Sequence, residues 1–258
     1  MPAIHYLTDI ENPGLPDYDL YIVWQPVTIS ASQVEAFRRR ASRAGKVLAV
    51  IGESGVGSLD FRGTDDVMMR LGMKVVHHPN TPRADVVVPV GDVKNPLLSD
   101  IRGVIEAGGM YIAKGRLLRR GQYGYATVSD PSATILGRWQ QGGEAAFASK
   151  PLGSGTLVFM ARDAGLTPQL LQNLAKTARI RPYAKSGNAV YVGNGVACVH
   201  RLAGKATVDF GRPVWLVDPE TGVRSKPTRF WSPSLKSGEA AVIGYVIDKE
   251  PTGPAGPL

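Results

Sequence analysis

Between Leu15 and Ile51 the order of polar and apolar positions describes a strand, a helix and a second strand. Leu15-Pro16-Asp17-Tyr18-Asp19 is a polar turn, and Leu20-Tyr21-Ile22-Val23 follows as an apolar run. Ser30 is a natural N-cap with Gln33 three residues on, the capping-box pattern. Val34, Phe37 and Ala41 then recur at helical spacing while Arg38, Arg39, Arg40 and Arg43 take the other side. Gly45 stops the helix. Lys46-Val47-Leu48-Ala49-Val50-Ile51 reads as a strand covered on both faces, the signature of a parallel sheet. It runs into the loop Gly52-Glu53-Ser54-Gly55-Val56-Gly57-Ser58. A loop leaving the carboxyl end of a parallel strand is where open α/β sheets place their ligands.

The alternation continues downstream. Thr64 to Leu71 predicts a short helix with Thr64 as cap, acids in its first turn and Gly72 as its stop. Met73 to His77 and Ala84 to Val88 read as short strands, and a brief helix is expected around Arg102 to Ala107. From Gly109 the texture changes to strands separated by glycine and proline: Met110 to Ala113, Ala133 to Gly137 and Gly155 to Met160. A last helix begins at Thr167, with Pro168 in the favoured first position and Leu170, Leu171, Leu174 and Ala178 on one face. After it the pattern is all-β, with strands expected at 190–192, 197–199, 206–210, 214–217 and 240–246. The expected fold is therefore α/β, a flavodoxin-like, largely parallel sheet with helices on both faces over residues 1–184. A small antiparallel, sandwich-like β-domain over 185–248 and a disordered tail over 249–258 complete it.

Composition narrows the class. No apolar run approaches the roughly 18 residues of a membrane helix, and Met1-Pro2-Ala3-Ile4-His5 carries no signal-peptide pattern. A cytoplasmic location is expected, with no membrane partner. Cys198 is the one cysteine of the 258 residues, so neither an internal disulfide nor a cysteine-based zinc site can form; a buried position on a strand is expected for it. The formal charge of +8 permits attraction to polyanions. Its residues gather on the first helix and in Lys114-Gly115-Arg116-Leu117-Leu118-Arg119-Arg120, outside any nucleic-acid module. These are a solvated face and a basic hairpin, and nucleic acid is not an expected partner.

The candidate chemistry centres on the Gly52 to Ser58 loop. Ser54 at a strand-to-loop turn suits a nucleophile if a histidine and a carboxylate converge on it, and His77 or His78, at the end of a neighbouring predicted strand, is the candidate base. Val56, however, stands where the nucleophile elbow has its second glycine. Glu53 is a candidate glycosidase acid or base, a role that needs a second carboxylate roughly 5 to 10 Å away. Gly52, Gly55 and Gly57 are candidate ligand-binding positions, but their spacing fits neither the dinucleotide fingerprint nor the phosphate loop, so no cofactor is expected. His77 and His78 are adjacent and point to opposite faces of a strand, and His5 and His200 lack ligand spacing, so no metal is expected. Trp24, Trp139 and Trp215 sit in or beside apolar strands and read as core or interface. Trp231, in Arg229-Phe230-Trp231-Ser232-Pro233, is the exposed candidate for stacking on a sugar.

The order of these elements resembles a known neighbourhood. It is carried by Leu15 to Ile22 with its helix and strand, and by Gly137-Arg138-Trp139 through Gly153-Ser154-Gly155-Thr156-Leu157-Val158. Leu170-Leu171 through Arg181-Pro182-Tyr183, and Val199-His200 leading to Leu216-Val217-Asp218-Pro219, continue it. Together, over roughly residues 15 to 248, the chain resembles the class I glutamine amidotransferase-like (trimerisation) domain of β-galactosidase-type glycoside hydrolases with the small β-domain that follows it. The resemblance implies a catalytic centre elsewhere, since those hydrolases keep their catalytic carboxylates in a separate barrel of about 250 residues, for which this chain has no room. It also implies no glutamine hydrolysis, because the nucleophilic cysteine of true amidotransferases is replaced by Gly52-Glu53-Ser54 and Cys198 lies far away. The implied role is a non-catalytic accessory and subunit-contact module. A stand-alone glycosidase or esterase using the Gly52 to Ser58 loop, and a carbohydrate- or polyanion-binding protein, are the alternatives.

Ile4 to Leu7 and Leu20 to Trp24 are expected as strands, yet Thr8 to Asp19, with Pro13, Gly14 and Pro16, cannot supply a helical crossover. In the family resembled, a strand and a helix precede this point. A fragment or truncation with one sheet edge uncovered is therefore expected, its partner being a second copy of the chain or the remainder of a larger glycoside hydrolase.

Overall fold

The computed structural model describes residues 6–24, 29–52, 64–79, 86–91, 94–105, 110–113, 116–119, 124–161, 166–184 and 187–247. The chain divides into two compact units, one running to Ile180 and the other from Arg181. Each has its own buried core.

In the larger unit β1 (Leu20–Trp24), α1 (Ala31–Ala41) and β2 (Val47–Ile51) form the strand, helix and strand read from the sequence. Ser30 caps α1 as its chemistry requires: its Oγ accepts from the Gln33 amide at 3.2 Å and the Gln33 side chain accepts from the Ser30 amide at 2.9 Å. All five residues of β2 are buried, which requires cover on both faces. Val23 and Val50 of one face line a small apolar space with Val34 and Phe37 of α1 and with Val67 and Leu71 of α2 (Thr64–Leu71).

Further along come β3 (Val75–Pro79), β4 (Val87–Pro89), β5 (Met110–Ala113), β6 (Arg116–Arg119), β7 (Gly124–Val128), β8 (Thr134–Trp139), β9 (Ala145–Leu152), β10 (Gly155–Met160) and α3 (Pro168–Thr177). The main sheet has six strands in the order β1-β2-β10-β9-β8-β4. β1, β2 and β10 are parallel, while β9, β8 and β4 each pair antiparallel with their neighbours. The sheet is thus mixed and not largely parallel. The reason lies in the connections: only Gly153 and Ser154 separate β9 from β10, and a two-residue link can join only antiparallel strands. Gly153 takes φ 60, the left-handed region such a turn demands. Gly155 is required for a different reason, since a Cβ there would lie 2.1 Å from the Ala41 carbonyl oxygen at the end of α1.

Three further expectations are corrected. Leu7 belongs to a 3-10 turn, Leu7–Glu11, and not to a strand; Arg40 holds that segment by donating to the carbonyls of Ile10, Asn12 and Leu15. Residues 102–105 are not helical, and Ile105 exchanges two backbone hydrogen bonds with Val87 as an isolated bridge. β3 does not join the main sheet but pairs with β7 in a two-stranded ribbon. α3 begins as its sequence predicts, with Thr167 Oγ1 accepting from the Leu170 amide. Its buried Asn173 donates to the carbonyls of Leu97 and Ser99.

The smaller unit is one antiparallel sheet in the order β11-β12-β15-β13-β14, formed by β11 (Asn188–Gly193), β12 (Val196–Arg201), β13 (Val208–Val217), β14 (Thr228–Trp231) and β15 (Ala240–Val246). The two strands expected within 206–217 are one strand with a register shift between Asp209 and Val214. Gly211, at φ 83, and Pro213, which has no amide proton, account for the interruption. Cys198 sits on β12 on the face opposite Ala197 and Val199 and is only partly buried. The tail expected to be disordered lies outside the described residues.

Candidate site at the carboxyl edge of the main sheet

Because β1, β2 and β10 are parallel and in register, Trp24, Ile51 and Met160 end together at one edge of the sheet. Gly52 turns the chain there with φ 89, and its amide donates to the Met160 carbonyl at 2.8 Å. Glu53, Ser54, Gly55 and Gly57 lie outside the described residues. So do residues 25–28 and 162–165, which follow β1 and β10 from the same edge. His77 is half-buried on β3, opposite Ala126 of β7, in the separate ribbon. His78 stacks on Tyr125, with ring centroids 4.4 Å apart, and its Nε2 lies 3.0 Å from Thr127 Oγ1. Tyr125 in turn meets the edge of Trp139, whose indole donates to the Ala126 carbonyl. Trp139 is a core residue, 1% exposed, whereas Trp24 is 58% exposed. Trp231 is half-buried against the core of the smaller unit.

Asp130, Asp209 and Asp17 are held by partners that favour their charged form. Lys150 Nζ lies 2.7 Å from Asp130, whose oxygens also accept from the Ser132 hydroxyl and from the amides of Lys74 and Ser132. These bonds, that of Lys150 foremost, outweigh burial and hold Asp130 well below the usual carboxylate range. Asp209 is held low in the same way by Arg229, the Gly211 amide and Arg181. Burial pushes Asp17 up, but the hydrogen bond and charge of Lys46 and the charge of Arg43 prevail and lower it. A glycosidase acid needs the reverse, a carboxyl group whose pKa is raised. Among the described residues no group of three or more His, Cys, Asp or Glu side chains is placed to hold a metal ion. No described helix is long and apolar enough to cross a membrane.

Two open clefts occur among the described residues, and the one lined by Ser42 and Gly153 lies at the opposite, amino-terminal edge of β2 and β10. One, of about 490 Å³, is bounded by α1, the end of α2 and the β9–β10 turn. The other, of about 530 Å³, runs from Pro89 past Lys94 to Ile101. Neither was announced by the sequence, because both are made by element ends that meet only in the fold. Asp130-Pro131-Ser132 marks a turn-forming aspartate of the Asx type, a local signal for Asp130 but not for its pairing with Lys150.

Most of the chain has counterparts of known structure. A beta-galactosidase from Bacillus circulans sp. alkalophilus superposes with a TM-score of 0.59 over 89% of this chain and 33% of its own, at 15% identity. A GH42 beta-galactosidase from G. stearothermophilus matches 89% of this chain and 32% of its own, with a TM-score of 0.53 and 16% identity. The beta-galactosidase of the haloarchaeon Halorubrum lacusprofundi matches 91% of this chain and 32% of its own, at 0.54 and 13%. The fold is similar to that of a part of each of these beta-galactosidases. The chain spans about a third of the length of the solved structures it matches. No family model and no curated protein sequence matches it.

Proposed function

We propose that this chain is a non-catalytic accessory and subunit-contact module of the glycoside hydrolase kind. Its larger unit acts as an amidotransferase-like trimerisation domain and its smaller unit as the accompanying β-domain. The observation that carries the reading is the coverage: about nine-tenths of this chain superposes on about a third of each β-galactosidase. A module of that extent serves an assembly, either a homo-oligomer or a complex with the remainder of a larger glycoside hydrolase acting in carbohydrate metabolism.

Purified protein is assayed on chromogenic β-galactosides and esters, beside Glu53→Gln and Ser54→Ala. No turnover above buffer is expected from any of the three. Hydrolysis by the wild type that either substitution abolishes would overturn the proposal and establish the loop after Gly52 as a hydrolase site.

A further inference from the structure

The four arginines at the end of α1 are not used alike. Arg40 is spent on three backbone carbonyls and Arg43 on Asp17, 2.7 Å away. Arg38 lies 3.6 Å from Glu35, both more than half exposed, a weak pair in water. Arg39 enters no ion pair among the described residues. Complementing the negative end of the helix explains why cations collect there. It does not explain why Arg38 and Arg39 both line the 490 Å³ cleft whose other wall is Leu71, Pro151 and Leu152.

That cleft is preformed. Ser154 donates from both its amide and its hydroxyl to the Ser42 carbonyl, at 2.9 and 3.1 Å, which ties the end of α1 to the β9–β10 turn. Gly153 lets the two backbones meet, since a Cβ there would lie 2.7 Å from the same carbonyl oxygen. Its volume falls within the roughly 300–1,000 Å³ of small-molecule sites. Two guanidinium groups against the single carboxylate of Glu35 leave a net positive wall, and guanidinium forks match planar or tetrahedral oxyanions in paired hydrogen bonds.

We propose that the cleft between α1, α2 and the β9–β10 turn binds a small organic oxyanion, a carboxylate or phosphate monoester carrying an apolar body. The head group meets Arg38 and Arg39 and the apolar body lies against Leu71, Pro151 and Leu152. The inference is independent of the accessory role, because it concerns the opposite side of the sheet from Gly52.

The full chain is titrated calorimetrically with phenyl phosphate, benzoate and inorganic phosphate. Saturable one-to-one binding of phenyl phosphate or benzoate is expected, the tighter of the two identifying the head group, with inorganic phosphate weaker because it lacks the apolar part. Arg38→Gln/Arg39→Gln is expected to weaken binding about tenfold or more, while Lys94→Gln, in the other cleft, leaves it unchanged. Amide shifts on titrating the wild type are expected at Gly72 and Gly153, which checks the location without any variant. Absence of saturable binding, shifts elsewhere, or equal loss in Lys94→Gln would overturn the proposal.

Discussion

At the scale of single residues, Asp130 is the side chain whose removal has the most definite consequence. It is 9% exposed, and Lys150, Ser132 and the Lys74 amide all converge on it. Asp130→Asn leaves the Lys150 ammonium without its counter-charge, and a loss of about 1–3 kcal/mol of stability is expected. The pH dependence follows from the direction of its pKa. The group is lowered in the folded state from the usual 3.8, so its contribution is full above that value and is lost as pH falls below it. Urea unfolding at pH 7 and at pH 3 is therefore expected to show the wild-type advantage over Asp130→Asn shrinking at the lower pH. An unchanged gap would locate the stabilisation in packing and not in charge.

At the scale of elements, what the sequence announced was what local chemistry controls. The Ser30–Gln33 box and the Thr167-Pro168 start are complete within four residues, so both helices begin where the pattern places them. Ser30→Ala and Thr167→Ala are each expected to cost about 1 kcal/mol in thermal or chemical unfolding, with no change in topology. Strand direction was not legible in the same way. β9 reads Ala-Ala-Phe-Ala-Ser-Lys-Pro-Leu, poor in the β-branched residues that mark strands, yet it lies between β8 and β10 with most of its side chains buried. Burial in the sheet overrides its weak propensity, and Pro151 is tolerated because it lies beyond Ser149, the last β9 residue paired with Thr134 of β8. The candidate site was legible only as far as Gly52. His77 could be assigned to a strand from its neighbours, but not to the β3–β7 ribbon, because the partner of a strand is set by distant residues. The packing of α1 against β10 gives a sharper expectation. Gly155→Ala drives a Cβ against the Ala41 carbonyl and should cost about 3 kcal/mol or prevent folding, whereas Gly91→Ala, with open space around the added atom, should be nearly neutral. Comparable melting temperatures for the two variants would show that α1 yields at that junction.

At the scale of the whole molecule, the two units differ in what supports them. The larger has an extensive core that includes Trp139, Phe147, Phe159, Leu48 and Ile51, all almost fully buried. The core of the smaller unit is Val192, Ala197, Val199, Ala206, Val208, Phe210 and Val214, framed by one sheet and by the Asp209 ion pairs with Arg181 and Arg229. Apolar burial is the main favourable term in folding, and its share falls steeply in small domains. A fragment comprising residues 1–180 is therefore expected to unfold cooperatively by itself, close to the main transition of the full chain. A fragment of residues 181–258 is expected to be marginal, with loss of its near-ultraviolet dichroism well below the temperature at which the larger unit melts. Calorimetry of the full chain and of both fragments decides this. A smaller fragment as stable as the larger would mean that its polar frame, above all Asp209 between two arginines, contributes more than its few buried side chains; Asp209→Asn in that fragment would then measure the contribution directly.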